Sequence, residues 1–261
     1  GSTAMICFLK LRIPEPDQQR LWEDPRMRWK LERMSPYGHA VYRSPWEHLK
    51  FKACHSECVE LSGSIHRHAQ NGTNWQDFTL KQFNDAVNRF ADEWALDPAE
   101  MTIASMESGV NLKTAFAPKD FMQRIILHRT TEPERRSLKG YNSIVIPHDA
   151  YQLKFYDKGE QSGLDHNLMR FENYLEGSQL SKLGIHTLAH LQQPSSWEAL
   201  GRLLVKHYDD LLIVEAIDPH DGLRATQREL LRRANDPKYW LDMEIKHRSQ
   251  RKKAIHKLYD S

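Results

Sequence analysis

The sequence predicts an α+β domain: a largely antiparallel sheet with helices on one face and a polar face on the other, followed by a C-terminal helical extension. Three observations predict it. Short stretches with strand periodicity recur from residue 5 to residue 175 with two helical patterns set among them. After Ser181 only helical spacing is left. Four of the strands carry their polar groups on one side, as a sheet does when helices cover its other side.

The elements follow in order. Residues 1–4 read as a tag remnant, which places the α+β domain at 5–178 and the helical extension, packed on it, at 179–261. Residues 5–13 form a strand ended by Pro14 and Pro16. A charged segment with Trp22, Trp29 and Tyr37 has no assignable pattern. Residues 49–53 and 57–67 read as two strands joined by a turn near His55 and Ser56, and the second ends at the turn signal Asn71-Gly72. Thr79 with Gln82 makes a capping box, and Leu80, Phe83, Ala86, Val87, Phe90 and Trp94 continue at helical spacing to Asp97-Pro98. Residues 101–110 are a strand, and residues 118–128 a second helix with Pro118 in its first turn and Phe121, Ile125 and Ile126 inward. Strands follow at 141–147, 151–158 and 167–175. Beyond them, Ser195 or Ser196 caps a helix running through Leu200, Leu204, His207 and Leu212, and residues 222–253 form one or two charged helices.

Composition bounds the function. About 39% hydrophobic residues supports a sizeable core, and no apolar stretch approaches the roughly 20 residues of a membrane span, so the chain reads as soluble and cytoplasmic, with no membrane partner. Cys7, Cys54 and Cys58 are an odd set at a spacing that makes a weak zinc signal, and read as reduced thiols. Net charge is only +2, yet residues 246–257 are strongly basic, as are Arg26, Arg28, Lys30 and Arg33. Such clusters either solvate a helix face or meet phosphates.

The chemistry concentrates on the polar face. Period-2 alternation groups Ser62, Ser64, His66 and His68 on one strand, and Ser105, Glu107 and Asn111 on another. The same rule groups Arg170, Glu172 and Tyr174, and Lys154, Tyr156 and Lys158. A tyrosine on a half-buried strand ordinarily packs its ring and bonds its hydroxyl. Two flanking lysines and a nearby cation are what would turn this one into a nucleophile, by lowering a phenol pKa of about 10, and that chemistry expects its hydroxyl to face open solvent beside them. His66 and His68, two apart on a strand, would grip one divalent ion, with Glu107 or Glu172 completing a site that accepts magnesium or manganese. Arg170 and Asn111, with Lys246, Arg251 and Lys252 near the C-terminal end, are the candidate DNA contacts. Trp29, Tyr42 and Trp46 lie near basic residues, where stacked bases or core packing would suit them. No Gly-rich phosphate loop is present.

Five segments carry a resemblance: Leu61-Ser-Gly-Ser-Ile-His66, Met106-Glu-Ser-Gly-Val-Asn111, Lys154-Phe-Tyr-Asp-Lys-Gly159, Leu168-Met-Arg-Phe-Glu172 and Leu183-Gly-Ile-His-Thr-Leu-Ala-His190. In that order the chain resembles the phage and plasmid rolling-circle replication initiators, above all relatives of the filamentous-phage initiator nickase and the Rep-type initiation factors. The resemblance runs from about Glu57 to Leu212. It implies a metal-dependent endonuclease that nicks and rejoins single-stranded or hairpin origin DNA through a 5′-phosphotyrosine intermediate and works with a host helicase. Matched position by position, Tyr156 is the nucleophile, Lys158 its companion lysine, and Glu107 and Glu172 the carboxylates of the metal. Gln161 stands where many relatives carry Glu or Gln five residues after the tyrosine. Two other expectations share the fold: a DNA-binding regulator with a merely structural Tyr156, and a mobilisation or transposition nickase using the same tyrosine.

Overall fold

In the computed structural model, residues 4–54, 57–138, 140–214 and 222–259 are described. The chain begins β1 (Met5–Arg12), α1 (Glu15–Glu23), β2 (Lys30–Met34), β3 (Ala40–Trp46), β4 (Leu49–Cys54), β5 (Glu57–Gly63), α2 (Ile65–Ala69), α3 (Leu80–Trp94). It continues β6 (Thr102–Lys113), α4 (Pro118–Arg124), β7 (Ile125–His128), β8 (Glu134–Leu138), β9 (Tyr141–Pro147), β10 (Tyr151–Asp157), α5 (Lys158–Ser162), β11 (Leu168–Glu176). It closes with α6 (Gly177–Lys182), α7 (Leu188–Leu191), α8 (Pro194–Asp209), β12 (Leu211–Ile213), α9 (Ala225–Ala234), α10 (Pro237–Leu241), α11 (Ile245–Tyr259).

Ten strands form one antiparallel sheet in the order β2-β3-β4-β5-β1-β6-β11-β10-β9-β8. The fold is thus α+β. Its largest hydrophobic cluster joins Leu9, Leu11, Phe51, Leu61 and Met106 of the sheet to Phe83, Val87 and Phe90 of α3 and to Trp197 and Leu200 of α8. A second cluster sets Ile146, Leu153, Phe155 and Phe171 against Met122 of α4 and Leu204 of α8. Because α8 serves both clusters, the helical part shares its core with the sheet. Ala4 also packs on the second cluster.

The capping box at Thr79 forms as its sequence requires, and α3 ends with Ala95 in the left-handed region at φ 49°. Elsewhere the structure departs from the sequence reading for identifiable reasons. The stretch 118–128 is not one helix: it leaves the helical path at Ile125, and the four buried residues Ile125–His128 pair as β7 with β12. β-Branched residues at that point favour the extended chain, and a partner strand takes up their backbone groups. β12 also means the region after Ser181 is not helical throughout. The unassigned charged segment folds as α1, β2 and β3; every residue of β2 is exposed, so no alternation was there to read. The turn expected at His55 and Ser56 lies outside the described residues.

The strand expected at 57–67 stops at Gly63, whose φ of +144° a side chain rarely adopts; a Cβ there would lie 2.8 Å from the His48 carbonyl oxygen. Ser64 then caps α2, its side chain accepting from the Arg67 amide, so His66 and His68 are helical residues.

Candidate active site

The site is built by three strands in register. Tyr156 on β10 faces Arg170 on β11, which faces Asn111 on β6; one step along, Lys154 faces Glu172, which faces Gly109. Paired residues in an antiparallel sheet share a face, so these side chains converge. Gly109 gives Glu172 its room: a Cβ there would lie 2.7 Å from Glu172 Cγ and 2.7 Å from the Phe171 carbonyl oxygen. A bulge in β1 between Ile6 and Phe8 turns Cys7 toward the cluster, its Sγ 4.0 Å from Arg170 Nη1.

Tyr156 donates its hydroxyl to Glu172 Oε1 at 3.1 Å. Arg170 Nη1 lies 3.6 Å from the same oxygen, and Lys154 Nζ 3.9 Å from Oε2. The two lysine ammonium groups stand over the Tyr156 ring, Lys154 at 4.8 Å and Lys158 at 5.9 Å from its centroid. Lys158 Nζ donates to Asn74 Oδ1 and to Gln161 Oε1, both at 2.7 Å. Arg170 donates to Asn111 Oδ1 at 2.7 Å and to the Asn74 carbonyl, and Asn111 Nδ2 donates to the Trp75 carbonyl at 2.8 Å. The connection between α2 and α3 is therefore tied across one end of the polar face, beside a cavity of about 630 Å³ lined by Trp75, Gln76, Asn111 and His166.

Two sequence expectations change. The Tyr156 hydroxyl does not face open solvent: the residue is 3% exposed, with the Tyr141 ring 5.8 Å away. Arg170, at 0% exposed, and Asn111 are interior as well, so neither stands on an open outer surface, and Asn111 lines the cavity beside the site.

Electrostatics follow from the burial. Loss of hydration pushes the Tyr156 phenol well above its ordinary value, Glu172 and Cys7 add to the rise, and Arg170 opposes it. The lysines therefore do not bring this phenol below its ordinary value, contrary to the sequence expectation; it is a neutral donor to Glu172. Burial, and then Arg170, brings Lys158 down to about 7. Glu107, one residue pair further along the face, is raised to about 7, by burial first and then by Glu172. Two groups of opposite type thus titrate near neutrality on one face, an arrangement found where protons must move.

The four candidate metal ligands are not brought together. On a helix, residues two apart point about 200° from each other. His66 accordingly stacks on Phe78 at 4.7 Å with Nε2 3.0 Å from Gln70 Oε1. His68 turns to Arg89 Nη2 at 2.9 Å and to the Trp46 ring at 4.8 Å. Burial, then Arg170, lowers His66 to about 3. What remains is the carboxylate pair Glu107 and Glu172, hard oxygen donors whose mutual repulsion a divalent cation would relieve; their chemistry fits magnesium or manganese, and that of the histidines does not enter it.

No protein-family model and no curated protein matches the chain. Among the solved structures it is similar to is one described as a rolling circle replication initiator protein from Geobacillus stearothermophilus. The identity is 12%, the match covers 90% of this chain and 97% of that one, and the TM-score is 0.47.

The flanking surfaces are basic. Lys10, Lys50, Lys52 and Arg33 line a groove of about 440 Å³ with Phe8 and Ser62, although Lys10 pairs with Glu60 at 3.1 Å and Lys52 with Glu32 at 2.7 Å. On α11, Lys246 pairs with Glu244 at 2.7 Å, Lys252 donates to the Leu211 carbonyl at 3.3 Å, and Arg251 is exposed. Trp22 packs on Trp29 at 5.1 Å and on Tyr42 at 5.3 Å, and Trp46 on Trp94 at 5.6 Å, so these aromatics serve packing. Among the described residues, no helix is long and apolar enough to cross a membrane.

Sequence reasoning missed Cys7, Asn74 and Gly109 as parts of the site. A β-bulge could have flagged Cys7 only with the β1–β6 register known, and nothing in the composition of residues 70–79 marks them as a cover. Gly109 carried a signal: a glycine inside a long strand points to a close approach.

Proposed function

We propose that the protein is a rolling-circle type initiator, a DNA nicking and joining endonuclease with Tyr156 as nucleophile. The observation that carries this reading is the Tyr156 hydroxyl 3.1 Å from a buried carboxylate, Glu172, with Arg170 and two lysines around them. A phenol held above its ordinary pKa needs a base within hydrogen-bond reach, and Glu172 is that base. The phenolic proton passes to Glu172 as the Tyr156 oxygen bonds to phosphorus and the bond from phosphorus to the 3′ oxygen breaks. The leaving 3′ oxygen takes its proton from Lys158, whose pKa of about 7 suits it to give a proton here and remove one when the strand is rejoined. Lys154 and Arg170 stabilise the charge that develops on the phosphoryl oxygens. Glu107 and Glu172 would hold a magnesium or manganese ion, which when bound supplies neutralisation of the scissile phosphate. The phosphotyrosine keeps the energy of the cleaved bond, so rejoining needs no nucleotide.

Access is part of the reading. The phosphate reaches Tyr156 when it displaces the Lys154, Lys158 and Tyr141 side chains around the ring, and this favours a distorted or single-stranded DNA over a plain duplex. Burial of the hydroxyl is also the observation that favours the second reading, a DNA-binding regulator with a structural tyrosine.

Incubation with single-stranded DNA pools and with supercoiled plasmid in manganese separates the two. An SDS-resistant protein–DNA adduct is expected, absent with Tyr156→Phe. An adduct that persists in that variant overturns the assignment of Tyr156. Salt-sensitive DNA binding without cutting, in any divalent ion, supports the regulator.

A further inference from the structure

We propose that His128, His207 and Asp210 form a binding site for one divalent transition-metal ion of the zinc class, with His148 orienting His128. The three residues meet because Leu211, next to Asp210, pairs with His128 across β12 and β7, while His207 occupies the last turn of α8. One ligand atom from each lies within 4.8 Å of the others. Both imidazoles are buried, His128 at 0% and His207 at 4% exposed.

The second observation is a set of missing partners. His128 Nε2, His207 Nδ1 and the Tyr151 hydroxyl are buried without a hydrogen bond. Buried polar atoms are nearly always satisfied, and three orphans in one place are what an ion and its bound water would satisfy. The other bonds already have the pattern of a metal centre. His128 Nδ1 lies 2.8 Å from His148 Nε2; with Nδ1–H as donor, Nε2 keeps its lone pair, which is how a ligating histidine is usually fixed. Asp210 receives Arg129 Nε at 2.9 Å, Arg129 Nη2 at 2.7 Å and Lys206 Nζ at 3.2 Å, all on Oδ2. Its Oδ1 takes none of these bonds.

Two nitrogens and one carboxylate oxygen suit zinc and its neighbours better than magnesium, and three protein ligands leave a fourth position for water. Burial, before any other influence, keeps both imidazoles neutral at physiological pH, the form that ligates. The site is separate from the nicking centre. Tyr151 is five residues from Tyr156 on β10, about 17 Å at 3.4 Å per residue, and the odd spacing puts them on opposite faces of the sheet. An ion here joins β7, the end of α8 and the turn before β10. It sits between the cluster holding Leu153, Leu204 and Leu211 and the one holding Ile126, Leu127 and Val214.

The test uses the full chain, stripped with chelator, dialysed against zinc and analysed for metal content, with cobalt(II) substituted in parallel. One equivalent of zinc is expected, with a cobalt spectrum of four-coordinate intensity. His207→Gln should abolish binding and His148→Gln weaken it by about 10- to 100-fold. The double variant Glu107→Gln/Glu172→Gln should leave the zinc stoichiometry unchanged. Should His207→Gln misfold, the cobalt spectrum of the unaltered protein decides alone. A folded chain that keeps well under one equivalent overturns the proposal, as does an octahedral cobalt spectrum or zinc retained equally by a folded His207→Gln protein.

Discussion

Gly109→Ala tests the packing of the candidate active site without touching any polar group in it. The added Cβ would sit 2.7 Å from Glu172 Cγ and 2.7 Å from the Phe171 carbonyl oxygen, where ordinary contact begins at 3.4 Å. The carbonyl belongs to the β6–β11 ladder and cannot swing aside, so the strands must part locally and Glu172 must move. Overpacking of this kind costs about 1–3 kcal/mol, within the 5–15 kcal/mol that holds a typical domain together, so the variant folds at 25 °C. In a chain of this size that cost lowers Tm by about 2–12 °C. In the proposed reaction, displacing Glu172 from the Tyr156 hydroxyl removes the base, and a positioned base contributes about 10²–10⁴ in rate. Urea unfolding and single-turnover adduct formation measure the two effects. Gly177→Ala is the control, because a Cβ there comes no nearer than 3.5 Å to the Ala104 and Ile103 carbonyls. A Gly109→Ala protein as stable and as fast as the parent would refute both the close approach and the role given to Glu172.

Two further outcomes follow from the buried charges. Glu172→Gln leaves the fully buried Arg170 guanidinium without its carboxylate, and unfolding should show a loss of about 3–5 kcal/mol along with the loss of adduct; unchanged stability would mean that Asn111 and Asn74 alone suffice for Arg170. His66 has a folded pKa of about 3, below its unfolded value of about 6.5, so its contribution is complete above pH 6.5 and is lost as pH falls toward 3. At pH 4.5, two units below the unfolded value, the loss is about 2.7 kcal/mol at 1.36 kcal/mol per unit. His66→Phe, which keeps the stack on Phe78, should lose correspondingly less stability than the parent between pH 7 and pH 4.5 in urea titrations, and parallel curves would contradict the buried neutral imidazole.

The polar face was legible because strand parity is a short-range property. Counting by twos from Tyr156, Arg170 and Glu107 requires no knowledge of neighbours, and the register Tyr156–Arg170–Asn111 then brings the three strands side by side. The α3 capping box was readable for the same reason: Thr79 and Gln82 interact within one turn. The histidines failed on a single torsion. Gly63 at φ +144° converts an alternating pattern into a helical one, and the partner that requires it, the His48 carbonyl, is fifteen residues away in sequence. Exposure hid β2, whose residues show no alternation because neither side is buried.

The burial of Tyr156 marks the limit of parity as a guide to function. Alternation states which face a side chain takes, and Tyr156, Arg170 and Glu172 do share one. It is silent on what lies across that face, which here includes Tyr141 from the next strand and the carbonyls of Asn74 and Trp75. Those contacts turn an expected solvated phenol into a neutral, buried one, and in the proposed reaction they move the chemical weight from Lys154 and Lys158 to Glu172. An enclosed site also strengthens every charge interaction within it, since low dielectric raises the effect of Arg170 and the lysines on a developing phosphoryl charge. The same enclosure that withholds the hydroxyl from water is therefore what would make these cations effective once a phosphate is inside.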